Sequence, residues 1–179
     1  MLPGEKATIL VVDDNVNNLR VISQYLENEG FEIMVAHNGK DALEKAILGR
    51  PELILLDVMM PQMDGFETCR RLKADEGTQN IPILFMTALD HVNDILNGFA
   101  AGGVDYITKP FQVDEVMARI NTHLTLYRLQ RQQRELFRRF ATREVANELL
   151  ESGFALGGRY VEATAMFSDI RSFTTITES

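Results

Sequence analysis

The segment Leu53-Ile54-Leu55-Leu56-Asp57 decides the fold: four branched apolar residues in a row, closed by a carboxylate. A short unbroken apolar run suits a strand buried on both faces, as in a parallel sheet, and the Asp then emerges at the carboxyl edge of that sheet. The same pattern recurs on both sides. Thr8 to Val12 ends in Asp13 and Asp14, Ile81 to Met86 ends in Thr87, Val104 to Ile107 is followed by Thr108 and Lys109, and Glu32 to Ala36 makes a fifth strand candidate. Stretches with helical spacing lie between them. Leu19, Ile22 and Leu26 mark a helix stopped by Gly30; Ala42, Leu43, Ala46 and Ile47 mark one stopped by Gly49 and Pro51. Phe66, Cys69 and Leu72 mark a third, and Asp90 is positioned to cap a fourth that carries Ile95, Leu96 and Phe99 and ends at Gly102 and Gly103. A fifth begins near Gln112, with Val113, Val116, Met117, Ile120 and Leu124 on its apolar face. The predicted fold class is therefore α/β: a doubly wound, five-stranded parallel sheet of the flavodoxin-like kind, with a C-terminal helical extension and a short β segment.

Parallel strands send their terminal residues to one edge, so Asp13, Asp14, Asp57, Thr87 and Lys109 are expected to share a pocket at the switch point of strand order. Any one of them has a plain explanation as a cap, a β-former or a solvated lysine. Four suitable residue types at the ends of four strands are hard to explain by capping alone. Three carboxylates brought together repel, and a hard divalent cation with oxygen ligands, Mg2+ or Mn2+, relieves that repulsion. Asp57 could then act as a nucleophile toward phosphorus, Lys109 could offset the developing charge and the Thr87 hydroxyl could donate to a phosphoryl oxygen.

Other features bound the function. The chain has 179 residues and a net charge of −8, with −9 in residues 1–127 and +1 in residues 128–179. The acidic first part argues against a broad nucleic-acid surface there. One cysteine and no signal-like N-terminus predict a cytoplasmic protein, and the apolar runs are too short to span a membrane. His37, His91 and His123 lie in different elements without ligand-like spacing, and Cys69 reads as filler in a core.

Residues 7–125 resemble the receiver domain of two-component response regulators. The resemblance is carried by Asp13-Asp14, by Leu55-Leu56-Asp57-Val58-Met59-Met60-Pro61-Gln62-Met63-Asp64-Gly65, by Met86-Thr87-Ala88 and by Lys109-Pro110. It implies that Asp57 accepts phosphate from a sensor histidine kinase or phosphotransfer protein. It also implies that Asp13, Asp14 and Asp57, with the backbone carbonyl of Met59, hold magnesium, and that Tyr106 is an aromatic switch coupled to Thr87. In that family the Lys-Pro bond is often cis.

Beyond the receiver-like part, Leu126, Leu129, Gln133, Leu136 and Phe140 recur at alternating steps of three and four, as in a coiled-coil seam. One reading is a solvated basic face around Arg128, Arg131, Arg134, Arg138, Arg139 and Arg143. The other is a stalk over residues 126–152 that forms a parallel homodimer. A helix over Arg143 to Leu150 and a strand over Tyr160 to Ser168 are expected next. Val161 to Thr174 resembles the opening strand and turn of class III adenylate or guanylate cyclase domains, with Ser172 where that family commonly has Gly. That resemblance implies an incomplete metal site at Asp169 and the Ile170 carbonyl within residues 153–179, the other catalytic groups falling beyond Ser179.

The function expected is thus a phosphorylated receiver, preceded by a tail at residues 1–6, controlling a cyclic-nucleotide-forming output. A DNA-binding output is the alternative, against which no compact helix-turn-helix follows. An aspartyl phosphatase of the haloacid dehalogenase type is a third, but it wants a second Asp where Met59 stands.

Overall fold

The computed structural model describes residues 6–87 and 92–140. In chain order the elements are β1 (Thr8–Val12), α1 (Val16–Asn28), β2 (Glu32–Ala36), α2 (Gly39–Gly49), β3 (Leu53–Asp57), α3 (Gly65–Ala74), β4 (Ile83–Thr87), α4 (Val92–Ala100), β5 (Asp105–Thr108) and α5 (Val113–Phe140). All strand pairs are parallel and the order across the sheet is β2-β1-β3-β4-β5. The expected fold is present, with the order reversing between β1 and β3.

Alternation along the strands separates two cores. Leu10, Val12, Ile54 and Leu56 face Ala42 and Ala46 of α2 and Cys69 and Leu72 of α3. Ile9, Val11, Leu53 and Leu55 face Leu19, Ile22 and Leu26 of α1 and Val116, Ile120 and Leu124 of α5. Burying each such leucine or isoleucine contributes roughly 1.5 to 3 kcal/mol. The helix starts are set by short polar side chains: Asn15, Asn38 and Asp64 accept hydrogen bonds from the backbone N–H groups of Asn17, Asp41 and Glu67 at 2.9, 2.9 and 2.7 Å.

Several expectations need correction. β4 begins at Ile83, because Pro82 has no N–H to give a ladder and contributes only its carbonyl, which accepts from Ile54 at 2.9 Å. β5 begins at Asp105 rather than Val104. Gly49 does not make the turn that ends α2. It is the last helical residue, crowded by the Met34 side chain where a Cβ would stand, and Arg50 takes the left-handed conformation at φ 45°. Ile47, expected on the buried face of α2, is exposed. On α4, Leu96 and Phe99 are 60% and 48% exposed. Gly98 is the closely packed residue there, where a Cβ would stand a tight 3.1 Å from the Phe85 ring. Val113 of α5 is also exposed, although Val116, Ile120 and Leu124 are buried as expected.

Residues 1–136 form one compact unit and 137–179 a second, of which only the last turn of α5 is described. Leu126, Leu129 and Leu136 are exposed on α5. Arg128 is not simply solvated: its Nε and Nη2 donate to the two carboxylate oxygens of Glu52 at 2.7 and 3.0 Å. The Asp90 cap, the Arg143 to Leu150 helix, the Tyr160 to Ser168 strand, and Asp169 and Ile170 lie outside the described residues. Among the described residues, no helix is long and apolar enough to cross a membrane.

Candidate functional site

Strand ends bring Asp13, Asp14, Asp57, Thr87 and Lys109 to the carboxyl edge beside the switch point, as their sequence positions require. Backbone bonds fix the frame. Val58 N donates to Met86 O at 3.1 Å, Lys109 N to Thr87 O at 2.8 Å, and Gly65 N to Val58 O at 2.9 Å. Gly65 is required for space, since a Cβ there would collide with the backbone carbonyl of Asp57. The Lys109–Pro110 peptide bond is cis.

Carboxylate oxygens of Asp13, Asp14 and Asp57 all lie within 4.8 Å of one another. Asp13 is fully buried and Asp57 nearly so, whereas Asp14 faces solvent. Lys109 Nζ stands between two of them, 2.8 Å from Asp13 Oδ2 and 3.1 Å from Asp57 Oδ1. Burial pushes the Asp57 carboxyl above the usual range; the hydrogen bond and charge of Lys109 and the Met59 N–H pull it down, the Asp13 charge pushes it up, and the net shift is upward. Burial acts on Lys109 to lower its pKa, but its hydrogen bonds to Asp13 and Asp57 outweigh that and raise it. A pocket with two buried carboxylates, a third at its mouth and one ammonium is short of positive charge. Its donors are hard oxygens, so the residues present fit a small divalent cation.

Thr87 is buried beside this cluster. An apolar hollow lined by Val58, Phe85, Thr87, Ile95 and Tyr106 connects it to the Tyr106 ring. That ring packs edge-on against Phe99 with centroids 6.4 Å apart, and the Arg119 guanidinium lies 5.7 Å from its centroid.

Sequence reasoning missed two groups. Asn18 donates from Nδ2 to both oxygens of Asp13. Its place early in a helix, among other asparagines, reads only as capping chemistry. The second is a charged cluster on β5 and α5. Arg119 Nη1 donates to Asp105 Oδ1 at 2.7 Å, Arg119 Nε to Glu115 Oε1 at 2.9 Å, and His123 Nε2 lies 3.1 Å from Asp105 Oδ2. The four-residue steps from Glu115 to Arg119 to His123 were the available signal.

Chemically, the pocket can hold a cation, present an Asp57 oxygen to an electrophile and meet developing negative charge with Lys109 and Thr87. Residues 9–121 match the family model of the response regulator receiver domain. The chain is 41% identical over 116 residues to the DNA-binding dual master transcriptional regulator RpaA of Synechocystis, covering 65% of this chain and 48% of that protein. It is 46% identical over 125 residues to the response regulator PleD of Caulobacter vibrioides, covering 69% of this chain and 27% of PleD. The matched stretch therefore spans about half or less of these curated relatives. Among solved structures, the receiver domain of the sensor histidine kinase PA1611 from Pseudomonas aeruginosa, with a magnesium ion coordinated in its active site cleft, is similar at 30% identity and a TM-score of 0.64, over 68% of this chain and 99% of that one.

Proposed function

This chain belongs to the response regulator receiver family, and from that premise we propose that Asp57 takes up a phosphoryl group from a sensor histidine kinase or phosphotransfer protein. The observation that carries this reading is the Lys109 ammonium bridging the buried Asp13 and Asp57, with the exposed Asp14 carboxylate close to both. Asp13 already accepts four contacts from Asn15, Asn18 and Lys109, so it is held as a fixed ligand. Asp57 ends the central strand β3 and is the carboxylate placed to react. Asp13, Asp14 and Asp57, with the Met59 carbonyl, would hold Mg2+ or Mn2+, which screens the charges of the carboxylate and the incoming phosphoryl group. An Asp57 oxygen forms the new bond to phosphorus as the donor's bond to phosphorus breaks, and the donor departs with that electron pair. Lys109 turns from the carboxylates toward the phosphoryl oxygens, and the Thr87 hydroxyl donates to one of them. As Thr87 moves, Tyr106 gains room to turn into the hollow between them, changing the face built by α4, β5 and α5.

Incubation with acetyl phosphate and Mg2+ tests this by intact mass. One added phosphoryl group is expected on the wild type and none on Asp57→Asn; equal labelling of both refutes the assignment.

The exposed Leu126, Leu129 and Leu136 support a parallel homodimer of α5, with Gln133 and Phe140 in the same seam. Light scattering at tens of micromolar should show a dimer that Leu129→Lys with Leu136→Lys disrupts. Salt should strengthen it by screening the surrounding arginines. For the output, the motif around Asp169 and Ile170 supports a nucleotide cyclase in the whole protein. The naming of RpaA as DNA-binding supports the second reading, a transcriptional output. Residues 1–179 are expected to form no cyclic nucleotide above an Asp169→Ala control, and a salt-dependent mobility shift on DNA would favour the second reading.

A further inference from the structure

The buried Asp13 carboxylate is held from three directions. Asn15 N donates to Oδ1 at 2.8 Å, Lys109 Nζ donates to Oδ2 at 2.8 Å, and Asn18 Nδ2 sits between the two oxygens at 3.1 Å from Oδ1 and 3.0 Å from Oδ2. These donors differ in what they can do while the site works. The Asn15 amide holds a single oxygen, which leaves the carboxylate plane free to rotate about it. Lys109 is a cation on a long flexible stem that also reaches Asp57, so it would compete with a bound metal and would be attracted by a phosphoryl group. Asn18 is different. It is uncharged, its side chain is short, and it rises from α1, which is anchored by the buried Leu19, Ile22 and Leu26. Contacting both oxygens, it fixes the rotation of the carboxylate plane without adding positive charge to a site that needs a cation.

We propose that Asn18 is a positioning residue for the divalent cation: it keeps Asp13 turned into the pocket, above all when Lys109 has left it. This rests on reading the pocket as a magnesium-dependent phosphoacceptor. The hydrogen bonds of the Asn18 side chain go to Asp13 and not to Asp57. Its effect should fall on cation affinity and not on the intrinsic reactivity of Asp57.

The test is calorimetric titration of MgCl2 into the intact chain, comparing the wild type with Asn18→Ala and with Asn17→Ala, an exposed neighbour in the same helical turn. Loss of a group that orients a metal ligand typically weakens affinity by about 10-fold or more. Asn18→Ala should do so and Asn17→Ala should not. In acetyl phosphate labelling, the Mg2+ concentration for half-maximal rate should shift by the same factor, with the rate at saturating Mg2+ close to that of the wild type. Circular dichroism checks folding; should Asn18→Ala not fold, Asn18→Ser, which keeps one donor, takes its place with a smaller shift in the same direction. Unchanged Mg2+ affinity in the folded variant overturns the proposal, as does a wild type that binds no Mg2+ at millimolar concentration. Normal Mg2+ binding with the expected shift but no labelling of wild-type Asp57 would refute the phosphoacceptor reading and leave Asn18 in its role.

Discussion

Two ionised clusters built from similar residues stand on this sheet, and they push their central aspartates in opposite directions. At the carboxyl edge, Asp57 shares Lys109 with Asp13 and lies close to Asp14, and its carboxyl is raised. On β5, burial also acts to raise Asp105, but hydrogen bonds from Arg119, His123 and the Tyr106 N–H more than offset it, and the carboxyl is lowered. Arg119 is raised in turn, first by its bond to Asp105. Burial has the same sign in both places. The supply of donors and cations per carboxylate decides the outcome: Asp105 sits in a satisfied network, Asp57 in an undersupplied one. The undersupplied cluster is the one whose carboxylates still lack a counter-charge, which is the ground for proposing a cation and a reactive Asp57 there.

The sharpest way to break this contrast is to remove the single cation. Lys109→Met leaves Asp13 and Asp57 buried beside each other without a counter-charge, and should cost about 3 kcal/mol in urea unfolding at pH 7. Added Mg2+ should recover much of it. A loss no greater than for an exposed lysine would show that the pocket is not short of positive charge.

Next is the pH test. With its folded-state pKa above the unfolded value, Asp57 lowers stability as pH rises through the window between the two, and its cost is complete above the folded value. Asp57→Asn should therefore be more stable than the cation-free wild type at pH 7, by roughly 0.5 to 2 kcal/mol, the usual gain when a functional residue that costs stability is replaced. That advantage should shrink on acidification toward pH 4. For Asp105, whose folded-state pKa is depressed, the contribution is present above the unfolded value and lost as pH falls through the folded one. Asp105→Asn should thus be less stable at pH 7, by about 1 kcal/mol, and match the wild type in strong acid. Parallel trends for the two variants would remove the distinction. At the small end, Arg131→Ala, which breaks an exposed 3.5 Å contact to Glu135, should leave the urea midpoint unchanged.

The carboxyl-edge site was legible because each of its members ends a recognisable apolar run, and parallel strands gather such ends without any knowledge of side-chain contacts. Asp13, Asp57, Thr87 and Lys109 needed only strand positions. The Asp105 cluster was not legible in the same way, because its bonds join a strand start to the middle of a helix 14 to 18 residues later. The Glu52 to Arg128 pair joins residues 76 apart, and no periodicity carries that information. Faces of helices were read correctly where large residues do the packing, as at Leu19, Ile22 and Leu26. They were misread on α4, where Gly98 lets the helix approach Phe85 and leaves Leu96 and Phe99 outside. Asn18 escaped notice because it contacts Asp13 five residues earlier, across the strand-to-helix turn, and does not itself end an apolar run.

Cys69 adds a practical advantage. It is the only cysteine in the chain, it is fully buried with Sγ 3.3 Å from the Ala101 carbonyl, and burial pushes its thiol up to about 11. Maleimides and methanethiosulfonates react with thiolate, so at neutral pH the native protein is close to silent toward them. A cysteine introduced at exposed Gln132 on α5 would then be the sole reactive handle. Spin or dye pairs in a dimer could report the separation of the two helices before and after phosphorylation, with the β-sheet core left untouched.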